Sequence, residues 1–192
     1  MVTASGTEIG SPTPGRHRIT VDEFYRLAEA GILRADDRVE LIDGEVCDMS
    51  PIGIMHAAVV AAMAAAFHEA FGRSLVIWMQ NLLRLDAASE LQPDICLLAQ
   101  RADFYRSRPP GPADARLVVE VADSSLSHDL GVKVPLLARH GVPEVWVVEA
   151  TTRRTHRFRR PEEGRYAACD VVEPTELLEF AQFRGALAAL LP

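Results

Sequence analysis

The chain has 192 residues, 48% of them apolar and 24% charged, close to the averages of globular domains. One domain of ordinary size is expected, able to bury roughly 70% of its unfolded surface without disulfide or metal; a wholly disordered chain, a collagen and a coiled coil are excluded. Lys and Arg number 20 against 27 Asp and Glu, a net charge of −7, which argues against a strongly basic architectural nucleic-acid binder but leaves room for a local basic patch.

Residues 1–18 are rich in Ser, Thr, Gly and Pro and lack an apolar period, so they read as a flexible N-terminal tail before a single domain over 19–192. Thr20 and Glu23 form a capping box, followed by Val21, Phe24, Leu27 and Ala28 at helical spacing and Gly31 as the stop. Residues 38–42 and 45–49 read as strands joined by Asp43-Gly44, a hairpin signal because both central residues of a type I′ turn need positive φ. His56 to Phe71 is an Ala-rich helix closed by Gly72. Its apolar stretch, 57–67, is too short to span a bilayer. A long strand is expected over 75–85 and another over 92–99, opened by Pro93.

Residues 100–115 form a loop with three prolines and three arginines, expected to be mobile. Residues 117–121 and 144–149 are apolar runs suited to central strands buried on both faces, and the loop entering a helix expected over 124–140 makes the pair a parallel right-handed crossover. Residues 153–160 and 165–172 read as an outer hairpin around Glu162-Glu163-Gly164, and 183–190 as a final short helix. The order points to an α/β (α+β) fold, a mixed sheet flanked by helices with an N-terminal helix and hairpin. Cys47, Cys96 and Cys169 have no zinc-like spacing and fit a reducing compartment, so a soluble cytoplasmic protein without a membrane partner is expected.

Two carboxylates stand out. Asp94 opens an apolar strand and Glu120 interrupts the most apolar one. Burying a carboxylate is costly unless it is paired or bound to a metal. Strand alternation puts Asp94 with Cys96, and Glu120 with Val118, so the two acids converge if their strands pair. A hard cation such as Mg²⁺ takes such a pair; an ion pair with Arg116 is the plainer reading. Lys133, the only lysine in the chain, lies one helical turn after Asp129, where an ordinary surface ion pair is the simpler account. By the same reasoning, Glu40 reads as an outward polar residue of its strand and His56 as a capped or solvated helix-start residue. Arg153, Arg157 and Arg159 read as charge that guards an edge strand or as a phosphate-binding ridge. Arg101, Arg106 and Arg108 lie between the two acidic strands, where a phosphodiester backbone would run.

Read in order, Glu40-Leu41-Ile42-Asp43-Gly44-Glu45, His56, Pro93-Asp94-Ile95, Val118-Val119-Glu120-Val121, Ser124, Asp129, Lys133, Gly141-Val142-Pro143-Glu144 and Trp146 resemble the restriction-endonuclease-like family called Uma-two, of the PD-(D/E)XK nuclease superfamily. The resemblance spans about 18–175 and implies a restriction-endonuclease-like core. It implies a metal-dependent endonuclease acting on DNA, with Asp94 and Glu120 as ligands of Mg²⁺ (or Mn²⁺) and catalytic residues Asp94, Glu120 and Lys133. Glu40 and His56 become accessory residues, and Arg101, Arg106 and Arg108 nucleic-acid contacts. The superfamily's usual lysine position is Ala122 here, and Lys133 matches the family's helical lysine; Val145, Glu149 and Leu137 replace common Tyr, Asp and Tyr. As a partly exposed group, Lys133 is expected to matter to rate and little to stability. A catalytically weak module binding nucleic acid or a protein partner is the alternative, a hydrolase of a small phosphorylated substrate a third reading, and a homodimer is left open.

Overall fold

Thr20 caps the first helix as its sequence requires: the Glu23 N–H donates to Thr20 Oγ1 (3.2 Å) and the Thr20 N–H to Glu23 Oε2 (2.8 Å) at the head of α1 (Val21–Glu29). The computed structural model describes residues 16–34 and 36–191; the expected tail lies largely in 1–15, outside the described residues. Strands β1 (Val39–Ile42) and β2 (Glu45–Asp48) close through Asp43 (φ +49°) and Gly44 (φ +78°), the type I′ geometry the Asp-Gly pair calls for. Helix α2 (Ile54–Phe71) starts two residues before His56. With 18 residues and a mean hydropathy of 1.5 it has the length and apolarity of a membrane span. Its Val59, Val60, Met63, Ala64, Phe67 and Phe71 are buried in the core instead.

The long strand expected over 75–85 is two strands in two sheets. After β3 (Leu75–Met79), Gln80 turns the chain at φ +47°, its N–H bonded to the Pro93 and Asp94 carbonyls, and β4 (Leu83–Arg84) joins a second sheet. The strand expected over 92–99 divides likewise into β5 (Glu90–Leu91) and β6 (Ile95–Ala99), with Pro93, which has no N–H for a ladder, between them. β7 (Ala115–Ala122) leads into α3 (Leu126–His128), a π-helical turn (Asp129–Lys133) and α4 (Val134–Arg139). In that turn the Val134 N–H reaches back five residues to the Asp129 carbonyl; Pro135 follows and offers no N–H, a local cause for the irregularity. β8 (Glu144–Glu149), β9 (Thr155–Glu162) and β10 (Arg165–Val172) follow, the last two closed by Glu163 (φ +49°) and Gly164 (φ +76°). The final helix expected over 183–190 is instead a hairpin, β11 (Leu178–Phe180) with β12 (Phe183–Gly185), and a one-turn helix α5 (Leu187–Leu190).

The main sheet has the order β10-β9-β8-β7-β6-β3 and is mixed, since β7 and β8 pair in parallel and the other neighbours antiparallel. α2 covers one face, packing on Ile95, Leu97, Leu117, Val119, Val121, Trp146 and Val148. The other face carries Cys96, Leu98, Val118, Ala122, Val145 and Val147, covered by α4 and by the four-stranded sheet β2-β1-β5-β4. This is the mixed, helix-flanked sheet expected from the sequence. The second sheet sits over the face on which Glu120, by alternation with Val118 and Ala122, must point.

Candidate active site

The β6–β7 register places Ile95 opposite Val119 and Cys96 opposite Val118, so Asp94, one residue before β6, stands opposite Glu120. Both acids line one open cleft of about 290 Å³, together with Glu40, His56, Asp129 and Lys133. Asp94 is fixed through one oxygen: Oδ2 accepts from the Val121 N–H (2.8 Å) and from His56 Nε2 (3.0 Å). Its Oδ1 has no hydrogen-bond partner among the described residues. The first turn of α2 thus places His56 on Asp94, and the imidazole is buried rather than solvated. Its Nδ1 is buried without a partner.

Lys133 is not a surface residue. Its side chain is 8% exposed, and Nζ lies 3.0 Å from Glu40 Oε2, 3.2 Å from Glu40 Oε1 and 3.2 Å from Glu120 Oε1. Glu40 is correspondingly not an outward strand residue: it is buried on β1, and its Oε1 also accepts from the Gln92 N–H at 2.7 Å. Arg116, the alternative partner for Glu120, turns outward and bonds the Ala113 carbonyl. Asp129 is buried and bonded by Ser125 Oγ at 2.6 Å. The pairing of α4's irregular start with β1 was beyond reach of a helical-wheel argument, which would have put Asp129 and Lys133 in solvent.

Six carboxylates, those of Glu40, Asp48, Asp94, Glu120, Asp123 and Asp129, therefore line the cleft with one ammonium, Lys133, and one guanidinium, Arg38. Burial pushes the Glu120 carboxyl well above its ordinary range; Lys133 offsets part of this, while Asp94 and Glu40 add to it. Burial also raises Asp129, against its Ser125 hydrogen bond and Lys133. Burial pulls Lys133 down, but Glu120 and Glu40 more than reverse this, so its pKa is raised and it stays charged. The site has more negative charge than it can neutralise. Asp94 Oδ1 and Glu120 Oε2 make no hydrogen bond among the described residues, and both side chains line that same cleft. Among the described residues no group of three or more His, Cys, Asp or Glu is placed to hold a metal ion. The donor set fits a hard cation that needs one or two carboxylates and keeps its waters.

The arginine loop does not rim this cleft. It joins the C-terminal end of β6 to the start of β7, the far end of the strand pair from Asp94. Arg101 is bidentate to Asp103 (2.8 and 2.9 Å) and Arg108 to Asp114 (2.6 and 2.8 Å), and both guanidiniums lie over the Tyr105 ring. These contacts tie down a loop expected to be mobile. Arg101, Arg106 and Arg108 are absent from the cleft wall, where Arg38 stands instead. On β9, Arg157 and Arg159 both pair with Asp170, and the Glu149 carboxylate bonds His156. Sequence reasoning did not single out Arg38, Asp48, Asp123 or His128, which also line the cleft. The one signal was their closeness in the chain to Glu40, Glu120 and Asp129.

The Uma2 family profile, described as "Putative restriction endonuclease", matches residues 21–190. Among solved structures the fold is similar to a protein from Anabaena variabilis ATCC 29413 titled "a putative nuclease belonging to DUF820", with a TM-score of 0.69 and 16% identity over 90% of this chain and 97% of that one. A search of curated proteins finds no match.

Proposed function

We propose, for a chain that belongs to the Uma2 family, a metal-dependent endonuclease that hydrolyses phosphodiester bonds of DNA. The observation that carries this reading is the convergence of Asp94, Glu120 and Lys133, from three separate elements, on one open cleft. Asp94 Oδ1 and Glu120 Oε2 would hold Mg²⁺ or Mn²⁺. Such an ion, when bound, supplies acidification of water and neutralisation of charge on phosphate. The chain's own residues do the rest. His56 and the Val121 N–H fix one oxygen of Asp94 and so orient the other. Lys133 presents a permanent positive charge where negative charge develops on the phosphate. It is held charged by two carboxylates, so it acts as a donor and not as the base. Glu40, bonded to Lys133 and to the Gln92 N–H, positions that ammonium.

One observation favours the second reading, a weak module that binds nucleic acid or a protein: Lys133 is engaged by two carboxylates, and Arg101 and Arg108 are already paired. The open cleft speaks for the enzyme. Supercoiled, linear and single-stranded DNA incubated with the protein and Mg²⁺ or Mn²⁺ decides between them: cutting that stops on chelation supports the nuclease, and binding without cutting in either ion supports the module.

A further inference from the structure

Beside the cleft stands an apolar lip that the hydrolytic chemistry does not use. Met49, Ser50 and Pro51 form part of the cleft wall, and His56 holds Asp94. Between them Ile52 is 43% exposed, Ile54 88% and Met55 47%. Ile54 is the most exposed large apolar side chain among the described residues. Lone exposed apolar residues are ordinary; three within four positions, bracketed in the chain by Pro51 and His56 of the cleft wall, mark a contact surface. The lip also lies close to the cleft's other wall: a Cβ placed on Gly53 would sit 2.7 Å from Asp123 Oδ2, and Asp123 lines the cleft. Ile54 and Met55 belong to the first turn of an 18-residue helix, so the lip has a firm base.

The occupant follows from what surrounds it. A scissile phosphate in the cleft brings its own sugar and bases to the cleft mouth. Base faces are apolar once unstacked, and Ile and Met side chains serve elsewhere as wedges between base steps. The electrostatic alternative, a track of arginines along a duplex backbone, has a single arginine on the cleft wall to start from. Arg101, Arg108, Arg139, Arg157 and Arg159 are each paired with an aspartate, and Arg38 is the arginine on the cleft wall. We propose that Ile52, Ile54 and Met55 pack against unstacked nucleobases beside the scissile phosphate, and that the substrate is single-stranded or locally unpaired nucleic acid rather than a continuous duplex. A strand already unpaired gives up less pairing and stacking energy before it meets the lip. This rests on the nuclease reading of the same cleft.

The test uses the full chain, as wild type and as an Ile54→Ser/Met55→Ser variant, which removes exposed surface and should keep the wild-type thermal midpoint. The probe is an oligonucleotide with 2-aminopurine at its centre, single-stranded or as a perfect duplex, with Ca²⁺ for binding and Mg²⁺ for cleavage. The wild type should bind and cut the single strand in preference, with a change in 2-aminopurine emission. The variant should bind the single strand about tenfold or more weakly while duplex binding changes little. Equal affinity of variant and wild type, a wild-type preference for perfect duplex, or a change of oligomeric state in the variant would each overturn the lip as a base-binding surface. Cleavage of both substrates with no effect of the variant refutes the lip and leaves the nuclease standing. Preferential, emission-changing binding without cleavage in Mg²⁺ or Mn²⁺ refutes the nuclease and leaves the lip standing.

Discussion

Replacing Lys133 with Ala is expected to damage the fold and the chemistry together, and the two losses are separable. The Nζ atom lies 3.0–3.2 Å from three carboxylate oxygens, and the three side chains involved, Lys133, Glu40 and Glu120, are 8%, 3% and 5% exposed. Removing one partner of a buried ion pair costs about 3–5 kcal/mol, because the other is left charged and dry. For a chain of this size that lowers the thermal midpoint by roughly 6–20 °C. This reverses the expectation from sequence that Lys133 matters little to stability. Loss of a charge-stabilising donor should also slow cleavage about 10²–10³-fold. Adding Glu40→Gln to Lys133→Ala removes one orphaned charge, so the double variant should regain part of the stability and none of the rate. Denaturant titration and cleavage rate at 25 °C, measured on the same preparations, give both numbers. A single variant within about 0.5 kcal/mol of wild type would show that the pair is not buried as described. A double variant that regained rate along with stability would show that Lys133 acts only through the fold.

Other consequences are local. Phe67 is fully buried on α2 against Phe71, Trp146 and Phe183, the last with ring centroids 4.8 Å apart, so Phe67→Ala should cost about 3–5 kcal/mol in denaturant titration; less than about 1 would mean the α2–sheet packing is looser than described. Gly44→Ala sets a Cβ at positive φ, 2.6 Å from Arg18 Cβ and 2.9 Å from the Ile19 carbonyl, and should destabilise by at least about 1 kcal/mol, whereas an unchanged midpoint would remove that close approach. The Arg108 hydrogen bonds, opposed by burial and helped by the Gly111 N–H, hold Asp114 below the usual carboxylate range, and Arg101 does the same for Asp103. A depressed carboxylate stabilises the fold above its unfolded pKa, near 4, and that contribution is lost as pH falls through the folded value. Pepsin at pH 3 should therefore cut within 100–115 faster than at pH 5 after correction for the enzyme's own profile, and Asp114→Asn should be cut readily at both; identical cutting of variant and wild type would count against the Arg108–Asp114 tie.

Period-two alternation made Asp94 and Glu120 legible, because one face of each strand had to share the parity of Cys96 and Val118. The Asp43-Gly44 turn was legible because Asp and Gly tolerate positive φ, and Gly164 marked the outer hairpin, whereas Ala181 turns the β11–β12 hairpin at φ +50° with no such signal. Gln80 likewise gives no hint that the chain changes sheets there. The family resemblance put Glu40 and Lys133 in the site, but their burial was missed for one shared reason: each was judged on its own element's exposed face, and the second sheet folds β1 over the start of α4 so that both faces are inside. The loop arginines were misplaced because adjacency in sequence to both acidic strands was taken as adjacency to their acids. In fact the loop closes the strand pair at its opposite end.

The central claim is that Asp94 and Glu120 jointly hold the cation on which phosphodiester hydrolysis depends. Titrating Mn²⁺ into wild type, Asp94→Asn and Glu120→Gln by calorimetry, with cleavage of single-stranded DNA measured in parallel, tests it directly. One Mn²⁺ per chain in the wild type, lost together with cutting in both variants while each stays folded, is the predicted result; a variant that keeps both the ion and wild-type cutting contradicts it.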